Sequence, residues 1–475
     1  MNATFRIARE EWRLLWRDRV AVMGFVLLLL LTAMSALTAW EQRQGSDAER
    51  TRYQAQVDHE FEAQPDRHPH RMVHYGQFAF RTLNPLAAFD SGIDPYTGHT
   101  LYLEGHRQNS ANFGDVRQSS LMLRFGQLTP AFVLQVLAPL ILIFIGHASV
   151  ARERETGTLR LLITQGLQPG QLVAGKLLVL AGVAALALVP AALTLLGITW
   201  ISSAAASLGL LLIGGYGAWL FLWAIAVVGV STLAARGRDA LIVLLALWAV
   251  TVVLVPRLGA DLVAWSQPLP TRFETDLAVS RDLAAMGDSH NPDDPYFNEF
   301  RKKVLAQYGV SRVEDLPVNY KGILGMEGER LTSALFNRYA DASFTAQQQQ
   351  LRSVNAFSLV SPVIALRRVS MIASGTDLHA YRLFLEQAEH HRYALVQQLN
   401  RLQAEKVNFA ADRSSLDNRI GREHWQDIAE FRYQAEAPAD MVLRALPMAG
   451  VLLVWLAALA GLLVLACRRL GRSEQ

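Results

Sequence analysis

The sequence predicts an all-α polytopic membrane protein with six transmembrane helices, an N-terminal interfacial helix and a mostly helical extracytoplasmic domain. Apolar residues make up 51% of the 475 positions. They are concentrated in runs of roughly 20 residues or more, the length that a helix needs to cross a hydrocarbon layer about 30 Å thick. Arginines cluster beside alternate ends of these runs. The predicted spans are residues 20–40, 130–150, 176–200, 208–234, 240–260 and 442–467.

Residues 1–19 precede the first span and are predicted to form an amphipathic helix on the cytoplasmic membrane surface. Apolar residues recur at helical spacing, and arginines occupy the neighbouring stripe, which is typical of a helix that lies in the interface. The residues that carry this prediction are Phe5, Arg9, Trp12, Arg13 and Trp16. The alternative is a simple basic anchor before the span, which would also lie on the membrane.

The arginines also predict the orientation of the chain. They follow the second, fourth and sixth spans and precede the first, so the positive-inside rule places these flanks in the cytoplasm. With six spans, both termini are then cytoplasmic, and the chain is a multi-pass protein. The predicted cytoplasmic connections and tail are residues 151–175, 235–239 and 468–475.

Two blocks fall on the other side of the membrane. The first, residues 41–129, has turn signals and a possible strand at "HTLYLEG", so it is predicted to be a smaller mixed α/β block. The second, residues 261–441, has apolar residues at three- and four-residue steps and is predicted to be helical. Because Cys467 is the only cysteine, no intramolecular disulfide can stabilise either block.

The stretch "GQLVAGKLL", which begins at Gly170, nearly completes a phosphate-binding loop. It fails because Leu177 replaces the hydroxyl residue that binds magnesium, no strand precedes it and an apolar span follows. We interpret Gly175 as a position of close helix packing and Lys176 as an anchor whose ammonium snorkels to the lipid headgroups. The chain is therefore predicted to bind no nucleotide, to carry no cofactor of its own and not to be an enzyme.

The preceding connection is too apolar for a solvated hairpin. Gly157 and Gly166 bracket the leucines Leu159, Leu161 and Leu162, a pattern that predicts a short helix presenting leucines to a partner. A turn resting on the membrane surface would also cover these side chains.

The residues of this connection resemble the permease subunits of ABC type-2 exporters. The shared pattern is E-x-E-x-G-T-L, two further leucines, and G-K at the next span. The matching residues are Glu153, Glu155, Gly157, Thr158, Leu159, Leu161, Leu162, Gly175 and Lys176. The resemblance implies that residues 153–168 form the coupling helix, which docks into a separate ATPase subunit. This sequence departs from the family pattern at Gln165 and Gly166, where many members have a proline-containing turn.

Three further stretches resemble the subclass that has a large extracytoplasmic domain of unknown function between spans five and six. They are "LEGHRQNSANFGD" (residues 103–115), "YGVSRVEDLPVNYKG" (308–322) and residues 361–400. The resemblance implies a permease of the bacterial inner membrane that dimerises with itself or a paralogue. It also implies two ATPase subunits, which bind ATP and Mg, and export of a substrate that the sequence leaves unidentified. In that family the helix that corresponds to residues 1–19 of this chain is called the elbow helix.

The energy source and the function class follow from what the spans contain. The predicted spans have no Asp or Glu, so there is no buried carboxylate for ion coupling, and energy must come from another subunit.

Two other classes stay open: a non-transporting mechanical device that acts on an envelope partner, and an enzyme whose outer block does chemistry. A deep outer pocket with strongly shifted titratable groups would favour the enzyme. Nothing predicts a nucleic-acid partner.

Eleven of the twelve histidines lie in the two outer blocks. They include His68, His70 and His74 in "RHPHRMVH" and the pair His390 and His391. Such spacing could let imidazoles share an ion, but no thiolate or ordered carboxylate set accompanies them. We interpret them as solvated loop side chains and predict no metal site.

Overall fold

The computed structural model describes residues 3–108, 128–201, 206–289, 291–410, 412, 418–426 and 428–473. Within these ranges, six helices are long and apolar enough to cross a membrane. This confirms the predicted number of spans and the all-α class. The spans, numbered first to sixth, are Arg19–Glu62, Pro130–Glu155, Pro169–Trp200, Ala206–Leu233, Gly237–Ser266 and Pro438–Gly471.

Alternate span ends meet at one side of the bundle, beside the elbow helix (Ala3–Arg17). The N–H of Val150, near the end of the second span, donates to the hydroxyl of Ser231 in the fourth (3.0 Å). Pro169, at the start of the third span, lies against Gly471 of the sixth. The spans therefore run in alternating directions, and we call this side the elbow end and the opposite side the distal end.

The first span continues well past its predicted end at residue 40. Asp18 caps the helix by accepting the N–H of Val20 (3.0 Å), and the helix runs without interruption to Glu62. The extension adds about 33 Å at 1.5 Å per residue. Residues 41–62 contain no proline, and Pro65 is the first one after them, so nothing in this polar stretch stops the helix.

The second span contains a π-helical turn, Val133–Leu137, followed by the helix Ala138–Gly146. In π-helical geometry the carbonyl of residue i bonds to the N–H of residue i+5, and five residues after Leu134 comes Pro139, which has no N–H. The indole N–H of Trp219, in the fourth span, donates to this carbonyl instead (3.1 Å). A proline-freed polar group inside the bundle is thus satisfied by a neighbouring helix.

The fifth span repeats this arrangement. Its helices Gly237–Trp248 and Val255–Ser266 flank a π-helical turn at Ala249–Leu254. Five residues after Thr251 comes Pro256, so the Thr251 carbonyl lacks its partner within the helix. The hydroxyl of Ser361 donates to it (2.5 Å), although Ser361 belongs to the block predicted to lie outside the membrane.

This contact shows that part of the second block enters the bundle. Ser358 accepts the indole N–H of Trp455 in the sixth span (3.0 Å), and the helix Pro362–Ser374 is buried between the fourth and sixth spans. Thr251 lies about 21 Å along the fifth span from Gly237, at 1.5 Å per residue. The structure therefore differs from the prediction that all of 261–441 lies outside. The segment is apolar but too short to cross a membrane, so a search for apolar runs of spanning length does not detect it.

The remaining parts of both blocks fold into one distal domain. Strands β1 (Gln77–Phe80) and β2 (Thr100–Leu103) pair antiparallel, and β2 confirms the predicted strand. They pack on the helix Leu378–Lys406 through a shared apolar cluster. A second cluster joins Phe61, from the extended first span, to the same helix.

The other elements of this domain are mostly helical, as predicted. The α-helices are Pro69–Tyr75, Asp94–Thr97, Arg272–Met286, Pro295–Tyr308, Tyr320–Ala356 and Glu423–Gln426, and 3₁₀ turns lie at Pro85–Ala88 and Val313–Asp315. A third 3₁₀ turn, Phe357–Leu359, precedes the inserted helix Pro362–Ser374 and contacts the sixth span. Of the stretch 103–115 used for the resemblance, residues 109–115 lie outside the described part of the chain.

Candidate functional site

The predicted coupling segment, residues 153–168, folds as the end of one short helix, Ala151–Glu155, and a second one, Thr158–Thr164. Gly157 has φ +76° and Gly166 has φ +89°. Both values lie in the left-handed region, which glycine adopts without steric cost. Gly157 therefore separates the two helices, and Gly166 follows the end of the second one. The expected short helix between the two glycines is present.

The leucines of the second helix do not share one face. Leu159 is 1% exposed and packs in the core of the bundle with Leu172 and Val173. Leu161 is 57% exposed, because two residues along a helix turn a side chain by about 200°. Leu162 is half-buried. Leu159 therefore anchors the helix within the chain, and Leu161 is the leucine that faces outward, together with exposed Glu155.

Lys176 is the ionic centre of the elbow end. Its side chain is 3% exposed, and its Nζ lies 2.5 Å from Glu11 Oε1 and 3.0 Å from Glu153 Oε1. The prediction that this ammonium snorkels to the headgroups is wrong, because two carboxylates supply the opposite charge that a buried ammonium needs. Residues from Gly170 onward lie inside the helix Pro169–Ile201, so they form no phosphate-binding loop.

The elbow helix lies against the start of the third span. A Cβ at Gly175 would come within 2.7 Å of Ile7, and one at Gly182 within 3.4 Å of Trp12. The G-K pair thus has two structural roles, since the glycine admits the elbow helix and the lysine pairs with its Glu11. Of the five residues that carried the elbow-helix prediction, Trp12 is partly buried, and the other four, Phe5, Arg9, Arg13 and Trp16, are exposed.

Sequence analysis missed the residues that hold the coupling segment to the fourth span. The Ser231 hydroxyl accepts from Ala151 N (3.2 Å) as well as from Val150 N. Arg154 donates to the carbonyls of Thr232 (3.1 Å) and Ala234 at the end of that span. The last carbonyls of a helix have no partner within the helix, and the guanidinium supplies one. No spacing in the sequence pairs these positions.

Glu153 links the Thr158–Thr164 helix to the lysine. The Thr158 hydroxyl donates to the Glu153 carbonyl (3.2 Å) and to its carboxylate. We call Glu11, Glu153, Thr158 and Lys176 the elbow-end junction. It ties the elbow helix, the coupling segment and the third span into one unit.

A second polar cluster lies where the distal domain meets the spans, and we call it the distal junction. Ser370 donates to Asp90 Oδ2 (2.5 Å), its oxygen lies 2.9 Å from the Tyr216 hydroxyl, Gln135 donates to Tyr216 (2.7 Å), and Arg367 donates to Gln135 (3.2 Å). Burial raises the pKa of Asp90. The predicted spans themselves hold no Asp or Glu, and the carboxylate at this junction, Asp90, comes from the first block.

A cleft of about 450 Å³ opens between β2 and the helix Leu378–Lys406. Arg392, which lines the cleft and is 1% exposed, lies 2.6 Å from Glu329 and 2.7 Å from Glu389. The Glu389 pair is buried, whereas exposed Glu386 pairs with Arg382 (2.5 Å). These contacts give the charges a structural role.

Comparison with known proteins identifies the family. The model described as ABC-2 family transporter protein matches residues 5–291, more than half of the chain. The model described as Domain of unknown function (DUF3526) matches residues 272–434, most of the second block. A comparison with curated proteins found no match. The chain therefore belongs to the ABC-2 transporter family, as a membrane-spanning permease with an additional C-terminal domain of unknown function.

Proposed function

We propose that this permease takes its energy from a separate ATPase subunit, which docks on the exposed face of the Thr158–Thr164 helix and drives export of a substrate. The observation that carries the proposal is the contrast between Leu159, which is buried in the chain, and Leu161, which is exposed, as Glu155 also is. A rigidly held short helix with an exposed leucine offers burial of about 1.5 to 3 kcal/mol to a protein groove.

The elbow end faces the cytoplasm in this proposal. The support is the basic charge at that end, which includes Arg9 and Arg13 of the elbow helix and Arg236 and Arg238 after the fourth span. Lys and Arg are enriched in cytoplasmic loops. ATP and Mg²⁺ are then bound by the partner on that side, both termini are cytoplasmic, and the distal domain lies outside the inner membrane.

The elbow-end junction gives the docking helix a route to the spans. Thr158 is bonded to Glu153, and Glu153 shares Lys176 with the elbow helix. Arg154 and Ser231 connect the same segment to the fourth span. A displacement of the docked helix therefore moves the elbow helix and two spans together rather than bending one loop.

A second permease, either another copy or a paralogue, completes the complex with two ATPase subunits. The support is the uneven burial of the spans: 61% of the apolar window of the fourth span is buried, against 17% for the fifth and 11% for the sixth. The last two thus expose apolar faces that lipid and a partner permease can cover.

The test is Leu161→Asp in the full chain co-expressed with its ATPase in native membranes. We expect co-purification of the ATPase and stimulated ATP turnover to fall at least tenfold, because a carboxylate replaces the apolar side chain in the groove. The matched control is Leu277→Asp, since Leu277 is 61% exposed on the distal helix Arg272–Met286. Wild-type association and turnover in an inserted Leu161→Asp protein would overturn the docking proposal and leave a surface-resting turn as the better account.

A further inference from the structure

Three histidines of the first block meet on the distal domain. His70 and His74 lie one turn apart on the helix Pro69–Tyr75, a spacing that puts both side chains on one face. His106 follows β2 in the chain. One ring nitrogen of each lies within 4.8 Å of those of the other two. The sequence interpretation of these residues as separate solvated side chains therefore does not describe this cluster.

The spacing of the first two imidazoles matches that of ligands on one ion. Their Nε2 atoms are 3.3 Å apart. Two nitrogens bound tetrahedrally to Zn²⁺ at 2.0–2.1 Å are also about 3.3 Å apart. The His106 ring centroid lies 5.7 Å from that of His70 and 5.4 Å from that of His74, and its ring nitrogen lies within 4.8 Å of theirs.

A buried carboxylate supports the third histidine. Glu329 Oε2 accepts the backbone N–H of His106 (3.1 Å) and lies 3.6 Å from its Nδ1. Glu329 is itself held by Arg392. A carboxylate beside the far nitrogen of a histidine is the usual outer partner of a metal-ligating imidazole, because it fixes the ring and raises its basicity.

The backbone at His106 is also held in an uncommon conformation. Its φ is +62°, and among the described residues it is the only non-glycine residue with a positive φ. The Glu329 contact helps to hold this geometry, which costs energy in the absence of compensating contacts. At the other side, His68 accepts the N–H of His70 (3.1 Å) and contacts Asp412 (2.7 Å). Both elements that carry the cluster are thus fixed by neighbouring groups.

We propose that His70, His74 and His106 bind one divalent transition-metal ion, with Zn²⁺ as the ion that fits best. Three imidazoles are a donor set for zinc, copper or nickel and a poor one for calcium or magnesium, which take oxygen ligands. Exposed His74 leaves one side of the site open to solvent, so the fourth position takes water or an exogenous ligand. The site joins both parts of the distal domain through Glu329, and its role is separate from ATPase docking.

The test uses the full chain, purified in detergent through a histidine-free tag and stripped with a chelator. Zn²⁺ titration by calorimetry is expected to give one ion per chain, and Co²⁺ the intense visible absorption of a tetrahedral site. His74→Ala, which alters an exposed side chain, and His70→Ala should each lower Zn²⁺ affinity more than tenfold and remove the Co²⁺ bands. His390→Ala is the control, because His390 is an exposed histidine of the same domain outside the cluster.

Equal Zn²⁺ affinity in wild type and His74→Ala, with circular dichroism unchanged, would overturn the proposal. So would absence of binding at micromolar Zn²⁺ in the wild type, and the 3.3 Å contact would then be a hydrogen bond between two neutral imidazoles. Loss of binding in His390→Ala alone would place the ion elsewhere and would equally contradict the site.

Discussion

The elbow-end junction and the distal junction both attach a segment outside the spans to the bundle, but they use different chemistry. At the elbow end Lys176 lies between two carboxylates, Glu11 and Glu153. At the distal end Ser370 and Tyr216 form a hydroxyl chain that ends on Asp90. The first depends on charge pairing and the second on directional hydrogen bonds.

The two junctions also differ in how much of the chain they gather. The elbow-end junction uses residues from the first 176 positions, and three of its four members belong to one recognisable motif. The distal junction brings together the first block, the second and fourth spans and the inserted helix Pro362–Ser374. The comparison teaches that a motif marks a junction built from nearby sequence, whereas a junction built from four distant pieces leaves no motif.

The largest expected effect comes from removing the shared cation. Lys176→Met leaves Glu11 and Glu153 close together without a counter-charge, and breaking a buried ion pair in this way costs about 3 to 5 kcal/mol. Because each carboxylate side chain keeps 22% exposure, we expect a smaller but still large weakening of elbow docking. In a Cys467→Ala background, a cysteine at Ile7 should react with a thiol reagent more than tenfold faster in this variant.

Arg13→Met is the control for that experiment, because Arg13 and Glu10 form an ion pair whose side chains are 52% and 62% exposed, and such surface pairs contribute little. Its labelling rate should match that of the parent. If Lys176→Met also labelled at the parent rate, the lysine would not hold the elbow helix.

A smaller effect is expected at the distal junction. Ser370→Ala leaves the Asp90 carboxylate and the Tyr216 hydroxyl without the group that joins them, a loss of about 1 to 3 kcal/mol for buried partners. The midpoint of thermal unfolding in detergent should fall, while Ser266→Ala should not shift it, because Ser266 donates to the carbonyl of Val263 in its own helix (3.3 Å). A double-mutant cycle with Asp90→Asn should be non-additive, and additive losses would mean that the two residues act separately.

Sequence reasoning succeeded where the pattern was local. Apolar length predicted six spans, glycine spacing predicted the Thr158–Thr164 helix, and the arginine stripe predicted the elbow helix. Each depends on residues close in the chain, so composition and period are enough to detect it.

It failed where distant residues decide the outcome. Lys176 was predicted to reach the headgroups because neither Glu11 nor Glu153 is paired with it by spacing. Pro362–Ser374 was assigned to the outer block because 13 apolar-rich residues are too short to cross a membrane. Only the packing of other spans around such a segment shows that it enters the bundle.

The central claim is that the outward face of the Thr158–Thr164 helix contacts the ATPase, and site-specific photocrosslinking tests it most directly. A photoreactive amino acid at position 161 should form an adduct with the ATPase subunit in native membranes. The same group at position 277, equally exposed on the distal helix, should not, because the two positions lie at opposite ends of the spans. Absence of an ATPase adduct at 161, with one recovered at 277, would contradict the account.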